Sequence, residues 1–582
     1  MKRPDRVALA LGLVFVACQA WLVILPALST PPDRVFLGYP HLPTDHYAYR
    51  MVAQQARDGG GPFYSNAFTT QPHDARFLMI GLTAAGWIER LTGLPDAIVW
   101  HGLRLAAAAL LVFLAWRLCR TLFATRRDAR IAYAFLLFAG GIDWLYPRLY
   151  THLVQGVPSA TGWGENPWNY SVFWMGCILT WVLPLLLVLV VVAWAIRDAR
   201  PLAAKDAPHD ALPRDAVPRK AASPDAEPPA ISSASPTSPA SPRRPLLAPD
   251  DRLPLWGGLL FAGTFALHPY TALGLGVLLA VVLAMRAFRR GVPRKAAIAR
   301  LSRDALLALP GPVLVGTFLL WSSSDPVVDA TNRQTALWMA FTPLYLFPIV
   351  YGPQVVLAAF GLGRDREGDG ERGFAVVQAW AAVGLVLSLN PFIAGTKFQA
   401  FFTPALLLLE ARGLLRVARW AATRVPGPAD VLRRAVLPAV VALCSVNGAL
   451  GLAWDDRDDA SRQANESDAS ELGALDALRA LPAGGVLSDP QTGMKVPWKG
   501  SKTVFVGQWF LSTRYYEKAD LVRWFFAGPA TADQRQGLLR NAGIRYVLHG
   551  PREAAMGPVP EVPGLVLAWH DGPWSIWEWS HK

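Results

Sequence analysis

Runs of about 15 to 25 mostly apolar residues recur from the N-terminus to residue 454, and a helix needs about 20 such residues to cross a bilayer. No other feature narrows the fold so far, because in lipid each backbone polar group must be bonded within the protein. The runs predict about 11 transmembrane helices, at residues 7–28, 98–117, 129–146, 171–196, 254–267, 270–288, 304–322, 338–362, 374–389, 399–416 and 435–454. Composition agrees. The 582 residues are 53% hydrophobic, with 23 Trp and 26 Phe, and their mean hydropathy is +0.26, too apolar for a soluble chain of this length.

Charge orients the helices. The net charge is +13, and more than half of the 56 Lys and Arg fall in the N-terminal tail and in alternate loops such as Arg117–Arg130, Arg286–Arg303 and Arg412–Arg434. Cationic loops stay cytoplasmic, which places the N-terminus inside and the C-terminus outside. Basicity here reports topology, and no nucleic-acid partner is expected. Counting Phe77–Leu91 as a span would put Arg117–Arg130 outside, so it is read as a helix lying along the outer interface. Trp256–Ala287 is read as two short passes, because basic segments flank it. Lys2 and Arg3 before an apolar run fit a secretory signal, but the run is long for a signal core and is read as a retained anchor. Cys18, Cys119, Cys177 and Cys444 lie in or beside spans without metal-ligand spacing, which argues against cysteine chemistry.

Four regions follow. Residues 1–197 form a first membrane half, holding a long polar outer loop at 29–97. Residues 198–253, rich in Ala, Pro and Ser, cannot bury enough apolar surface to offset ordering and are read as a disordered cytoplasmic linker. Residues 254–454 form the second membrane half. Residues 455–582 read as an extracytoplasmic α/β domain: a helix at Leu472–Leu481, strands at Gly485–Ser488 and Thr503–Gly507, a helix at Ala532–Ala542, a strand at Tyr546–His549, and a hairpin over Leu565–Trp579 turning at Asp571-Gly572.

The chemistry concentrates in the first outer loop. Thr44 or Asp45 is placed to cap a helix through Tyr49, Met51 and Ala56 that stops at Gly59-Gly60-Gly61. A carboxylate at a helix N-terminus stays ionised in the field of the dipole. Asp45 is then a base, a cation ligand, or only a cap.

A long first outer loop that carries an acid near its start, follows the first span and continues through interfacial segments resembles the GT-C superfamily of integral-membrane glycosyltransferases, which includes protein O-mannosyltransferases and lipid A aminoarabinose transferases. Asp45 matches the family's catalytic acid, Tyr47 and Tyr49 follow it, and Gln71-Pro72-His73 lies where relatives carry a Pro-containing turn. The paired acid found in some relatives is absent, since His46 follows Asp45. The resemblance implies a polytopic α-helical fold with about 11 spans and an appended α/β domain. It also implies a polyprenyl-phosphate sugar donor, and a glycan, lipid or protein acceptor at the outer face of a bacterial inner membrane. A divalent cation, Mg or Mn, held by Asp45 stays open.

Within that reading Asp45, His46, Asp143 and Glu165 are the candidate catalytic residues. Lys397, His268, Arg104, Tyr49 and His73 are the candidates to bind substrate or the donor phosphate. Lys397 is a cation on an outer turn, against the charge rule, and suits a leaving phosphate; a Lys snorkelling to headgroups is the alternative. His268-Pro269-Tyr270-Thr271 sits at the apex of the short hairpin, where His268 either faces the site or only satisfies the turn. Arg104, inside the second span, calls for an anionic partner, and a protein carboxylate is favoured. The mechanism expected is inverting single displacement with Asp45 as base. A transporter or flippase, or a non-catalytic scaffold, for lipid-linked saccharides is the rival; no internal repeat favours transport. An oligosaccharide ligase or polymerase is the runner-up among enzymes.

Overall fold

The computed structural model describes residues 5–39, 43–140, 172–199, 252–289, 291–338, 351–363, 371–390, 395–424 and 466–580. Helix α1 (Arg6–Ser29) leads to strand β1 (Arg34–Phe36), helix α2 (Pro43–Arg57), a hairpin-like pair β2 (Phe63–Tyr64) and β3 (Phe77–Leu78), helix α3 (Ile80–Thr92) and the long α4 (Asp96–Leu122). Then come α5 (Arg126–Phe138), α6 (Val172–Cys177), α7 (Leu179–Ala199), α8 (Arg252–Leu267) and α9 (Pro269–Ala287). They are followed by α10 (Arg294–Ala308), α11 (Pro310–Ser323), α12 (Pro326–Trp338), α13 (Pro353–Leu362), α14 (Glu371–Ser388) and α15 (Gln399–Arg424).

Among the described residues four helices, α1, α4, α7 and α9, are long and apolar enough to cross a membrane, or five if the bent pair α10–α11 is one span. The spans expected at 254–267 and 374–389 appear as the shorter apolar helices α8 and α14. The span expected at 435–454, and parts of those at 129–146 and 338–362, lie outside the described residues. The continuous span expected at 304–322 is instead a break of 50° at Leu309. Pro310 causes it, because its ring lacks an N–H and clashes with the carbonyl one turn back.

The long polar loop after α1, read from the sequence as the outer loop, is built on α2. The helix starts at Pro43, whose fixed φ suits a first helical position, so Asp45 lies in the first turn and is not the cap expected of Thr44 or Asp45. Its buried face, with Tyr47, Ala48, Met51, Val52 and Ala56, packs on α3. At the crossing a Cβ on Gly86 would lie 2.0 Å from the Ala53 carbonyl oxygen, so only glycine permits this approach. The stretch read as one helix from Phe77 begins as β3, and α3 starts at Ile80.

Residues 466–580 carry a mixed five-stranded sheet in the order β6 (Thr503–Val504), β5 (Gly485–Leu487), β7 (Ile544–His549), β9 (Trp574–Trp579), β8 (Leu565–Asp571). Strand β5 is parallel to both β6 and β7, while β7, β9 and β8 run antiparallel in turn. The helices at Ala469–Ala480 and Ala532–Asn541 fall where the pattern predicts them, and Tyr515–Ala527 is a helix the pattern does not reveal. Strand β4 (Glu466–Asp468) pairs antiparallel with β1 from the outer loop, so the C-terminal sheet region and the loop after α1 are joined through backbone bonds.

Candidate functional site

Asp45 is buried, although it belongs to a loop helix. Its Oδ1 accepts a hydrogen bond from Gln508 Nε2 at 3.3 Å. Burial pushes its carboxyl above the usual range, and the ammonium of Lys397 pulls it back part of the way. Lys397 stands on a short 3₁₀ turn, Gly395–Phe398, and is itself buried. Burial draws Lys397 below the usual lysine range, and Asp45 opposes this. The two residues, more than 350 positions apart in sequence, thus sit within each other's electric field.

Two aromatic rings complete this corner. The Lys397 ammonium lies 5.2 Å from the ring centroid of Trp181, close enough for cation–π attraction. His268 packs beside the same indole with centroids 5.9 Å apart. His268 caps α9: its Nδ1 accepts from the Thr271 backbone N–H at 3.3 Å and lies 2.8 Å from the Thr271 hydroxyl. An accepting Nδ1 leaves the proton on Nε2, so the ring is a neutral donor. Burial, and then the nearby Lys397 charge, lower His268 to about 3 and keep it neutral. Beside the corner lies a small apolar cavity of about 10 Å³, room for roughly one water molecule, lined by Met175, Trp181, Leu185, Val188, Thr271, Ala400 and Phe401.

The other expected residues lie elsewhere. Successive helical residues point about 100° apart, so His46 leaves Asp45's direction and stacks on Tyr39 with centroids 4.9 Å apart, with Trp100 and Tyr49 edge-on at 5.4 and 5.7 Å. Tyr49 lies stacked on Trp100. Arg50 occupies the same side, bridging Glu89 at 2.9 Å and Asp96 at 3.0 Å with no exposed surface. This buried ion cluster anchors α2 against α3 and α4, and nothing in the sequence pattern pairs these three residues.

His73 fastens its own loop: its Nε2 accepts from the Asn66 N–H at 2.8 Å, leaving Nδ1–H to donate to the Gln71 carbonyl at 2.8 Å. Arg104 is buried and has several neutral partners. It donates to the Gln19 side-chain and backbone oxygens at 2.9 and 2.7 Å, to the Gly176 carbonyl at 3.3 Å, and to His101. Asp143 and Glu165 lie outside the described residues.

Sequence reasoning missed Trp181 and Gln508. Trp181 is one apolar residue in an apolar helix, and Gln508 carries no motif. Among the described residues no group of three His, Cys, Asp or Glu could hold a metal ion. The candidate acids Asp143 and Glu165 are not part of that described set.

No family model matches the chain, and no curated protein does. Its fold has known counterparts. The apo crystal structure of the Archaeoglobus fulgidus oligosaccharyltransferase matches 93% of this chain and 69% of its own, at 12% identity and TM-score 0.51. The same enzyme tethered to an acceptor peptide with an NVT sequon matches the same shares at 13% identity and 0.49. ArnT from Cupriavidus metallidurans bound to undecaprenyl phosphate matches 97% of both chains at 13% identity and 0.48. The first of these shows the fold: the chain is folded like that enzyme, with several helices long and apolar enough to cross a membrane and a C-terminal sheet region.

Proposed function

We propose that the protein is a membrane glycosyltransferase that moves a sugar from a polyprenyl-phosphate donor to a hydroxyl on an envelope acceptor, at the outer face of the inner membrane. The observation that carries this reading is the burial of Asp45 and Lys397 in each other's field, on a fold shared with an oligosaccharyltransferase. A lipid phosphate needs a cation for its head and an apolar channel for its chain. Lys397 and the Nε2–H of His268 suit the head.

Asp45 orients the acceptor hydroxyl and takes its proton as the oxygen attacks the anomeric carbon. The new C–O bond forms as the C–O bond to phosphate breaks, and the departing phosphate carries the electron pair into the field of Lys397 and His268. Phosphate leaves without a general acid, so one carboxylate suffices and the anomeric configuration inverts. No step is routed through a metal. The domain scheme of two membrane halves, a cytoplasmic linker at 198–253 and an extracytoplasmic domain from 455 belongs to the same proposal, as does an N-terminus inside. Sugar and acceptor stay open among glycans, lipids and proteins.

The test is release of free polyprenyl phosphate by the full chain in lipid nanodiscs, offered a panel of polyprenyl-phosphate sugars and cell-envelope extract. Wild type is expected to release it, and Asp45→Asn to lose release by at least about a hundredfold. No release by folded wild type from any donor would overturn the reading in favour of a transporter or scaffold.

A further inference from the structure

The residue that touches the Asp45 carboxylate comes from the C-terminal sheet region, 463 positions away in sequence. Gln508 is fully buried. Its amide is oriented by its own backbone neighbourhood: Oε1 accepts from the Trp509 N–H at 3.2 Å, which leaves Nε2 to donate to Asp45 Oδ1. Asparagine-type ambiguity between O and N is therefore resolved by the network.

The segment that carries Gln508 is fastened on three sides. Val504 N–H donates to the Ala67 carbonyl at 2.9 Å. The Ser512 hydroxyl donates to the Phe68 carbonyl at 3.1 Å and accepts from Gly507 N–H at 3.0 Å. Asn66 Nδ2 donates to the Leu511 carbonyl at 2.7 Å. From α12, Gln334 Nε2 donates to the carbonyls of Trp509 and Ser512, both at 3.0 Å, and the Thr335 hydroxyl to that of Phe510 at 3.2 Å. Gly507 lets the strand come this close: a Cβ there would lie 2.8 Å from the Phe68 ring and 2.9 Å from the Gly493 carbonyl oxygen. So many bonds around one loop hold the Gln508 amide against a single carboxylate oxygen.

We infer that Gln508 is a positioning residue for Asp45, so that the C-terminal region contributes a part of the site through this bond. An N–H donated to a carboxylate favours its charged form and fixes which oxygen is free. With Oδ1 held by Gln508, Oδ2 is the oxygen left to take the acceptor proton. This inference rests on the proposed function. Among the described groups around α2, Lys397 is the one whose charge acts on Asp45; Arg50, Glu89, Asp96 and Lys499 gather on the Tyr39–Trp100 side, and Glu471 and Lys495 lie beside Tyr47.

The experiment compares full-length wild type, Gln508→Leu, the isosteric Gln508→Glu, and Asp45→Asn in nanodiscs. Losing a hydrogen bond to a charged partner is worth about ten- to hundredfold in rate. Gln508→Leu is expected to lower kcat by that factor with the donor KM nearly unchanged, and to move the acid limb of the pH–rate profile to higher pH. Gln508→Glu is expected to move the limb further, because a second carboxylate opposes ionisation of the first. Unaltered kcat and an unmoved limb in both variants would overturn the inference, as would a loss that tracks a lower thermal unfolding temperature with no movement of the limb.

A second readout needs no turnover. The infrared carbonyl band that disappears in Asp45→Asn reports protonated Asp45, and its titration midpoint is expected to rise in Gln508→Leu. A midpoint that stays in place sinks the inference even if the protein proves not to be a glycosyltransferase. A midpoint that rises in a protein releasing no polyprenyl phosphate would retain the Gln508–Asp45 link and reject the proposed reaction.

Discussion

Asp45 illustrates a compromise between function and stability. Its folded carboxyl titrates above its ordinary value, so its ionised form is disfavoured by folding. The sign follows from linkage: the contribution to stability is complete below the ordinary aspartate value of 3.8 and is lost as pH rises through the raised folded value. Asp45→Asn is therefore expected to unfold at a higher temperature than wild type at pH 7.5, with the gap closing towards pH 3.5, as scanning calorimetry would read. A variant equally stable at both pH values would contradict this. Lys397→Met tests the partner. Removing the ammonium takes away the positive charge that lowers Asp45, so the acid limb of activity is expected at higher pH. Losing a charge aimed at the leaving phosphate is expected to cost about a hundred- to a thousandfold in kcat.

At the level of elements, α2 is held in place by close approach and by buried charge. The Gly86–Ala53 contact leaves no room for a side chain. Gly86→Ala is expected to destabilise the fold by about 1–3 kcal/mol and to lower activity as well, because α2 carries Asp45. Chemical denaturation and the release assay would check the two together, and a neutral substitution would show that the crossing relaxes freely. On the same side, Arg50 bridging Glu89 and Asp96 means that removing any one partner strands buried charge, which explains why so polar a helix sits packed in place.

Across the whole molecule, the outer loop, α12 and the C-terminal sheet region meet around residues 504–514. Gln334 is the principal stitch, bonding to Trp509 and Ser512 and accepting from Arg514 N–H at 3.3 Å. Gln334→Ala is expected to raise amide hydrogen exchange across 507–514 while leaving α4 and α7 protected. Unchanged exchange there would mean that the Asn66 and Ser512 bonds suffice alone.

Much of the architecture was legible because its causes are local or compositional. Apolar length predicted α1, α4, α7 and α9, and strand periodicity with the Asp571-Gly572 turn predicted the β8–β9 hairpin. Asp45, Lys397 and His268 stood out because each is a polar group placed where lipid or charge distribution makes it costly. The errors arose where packing outweighs pattern: the helix start at Pro43 and the bend at Pro310. The sequence by itself determined that the chain is a multi-pass membrane protein with a long polar loop after its first apolar helix, since hydropathy and charge act residue by residue. Only the tertiary structure decided that Asp45, Lys397 and Gln508 share one buried corner, because contacts spanning hundreds of positions are set by how helices and sheet pack and leave no period or spacing in the chain.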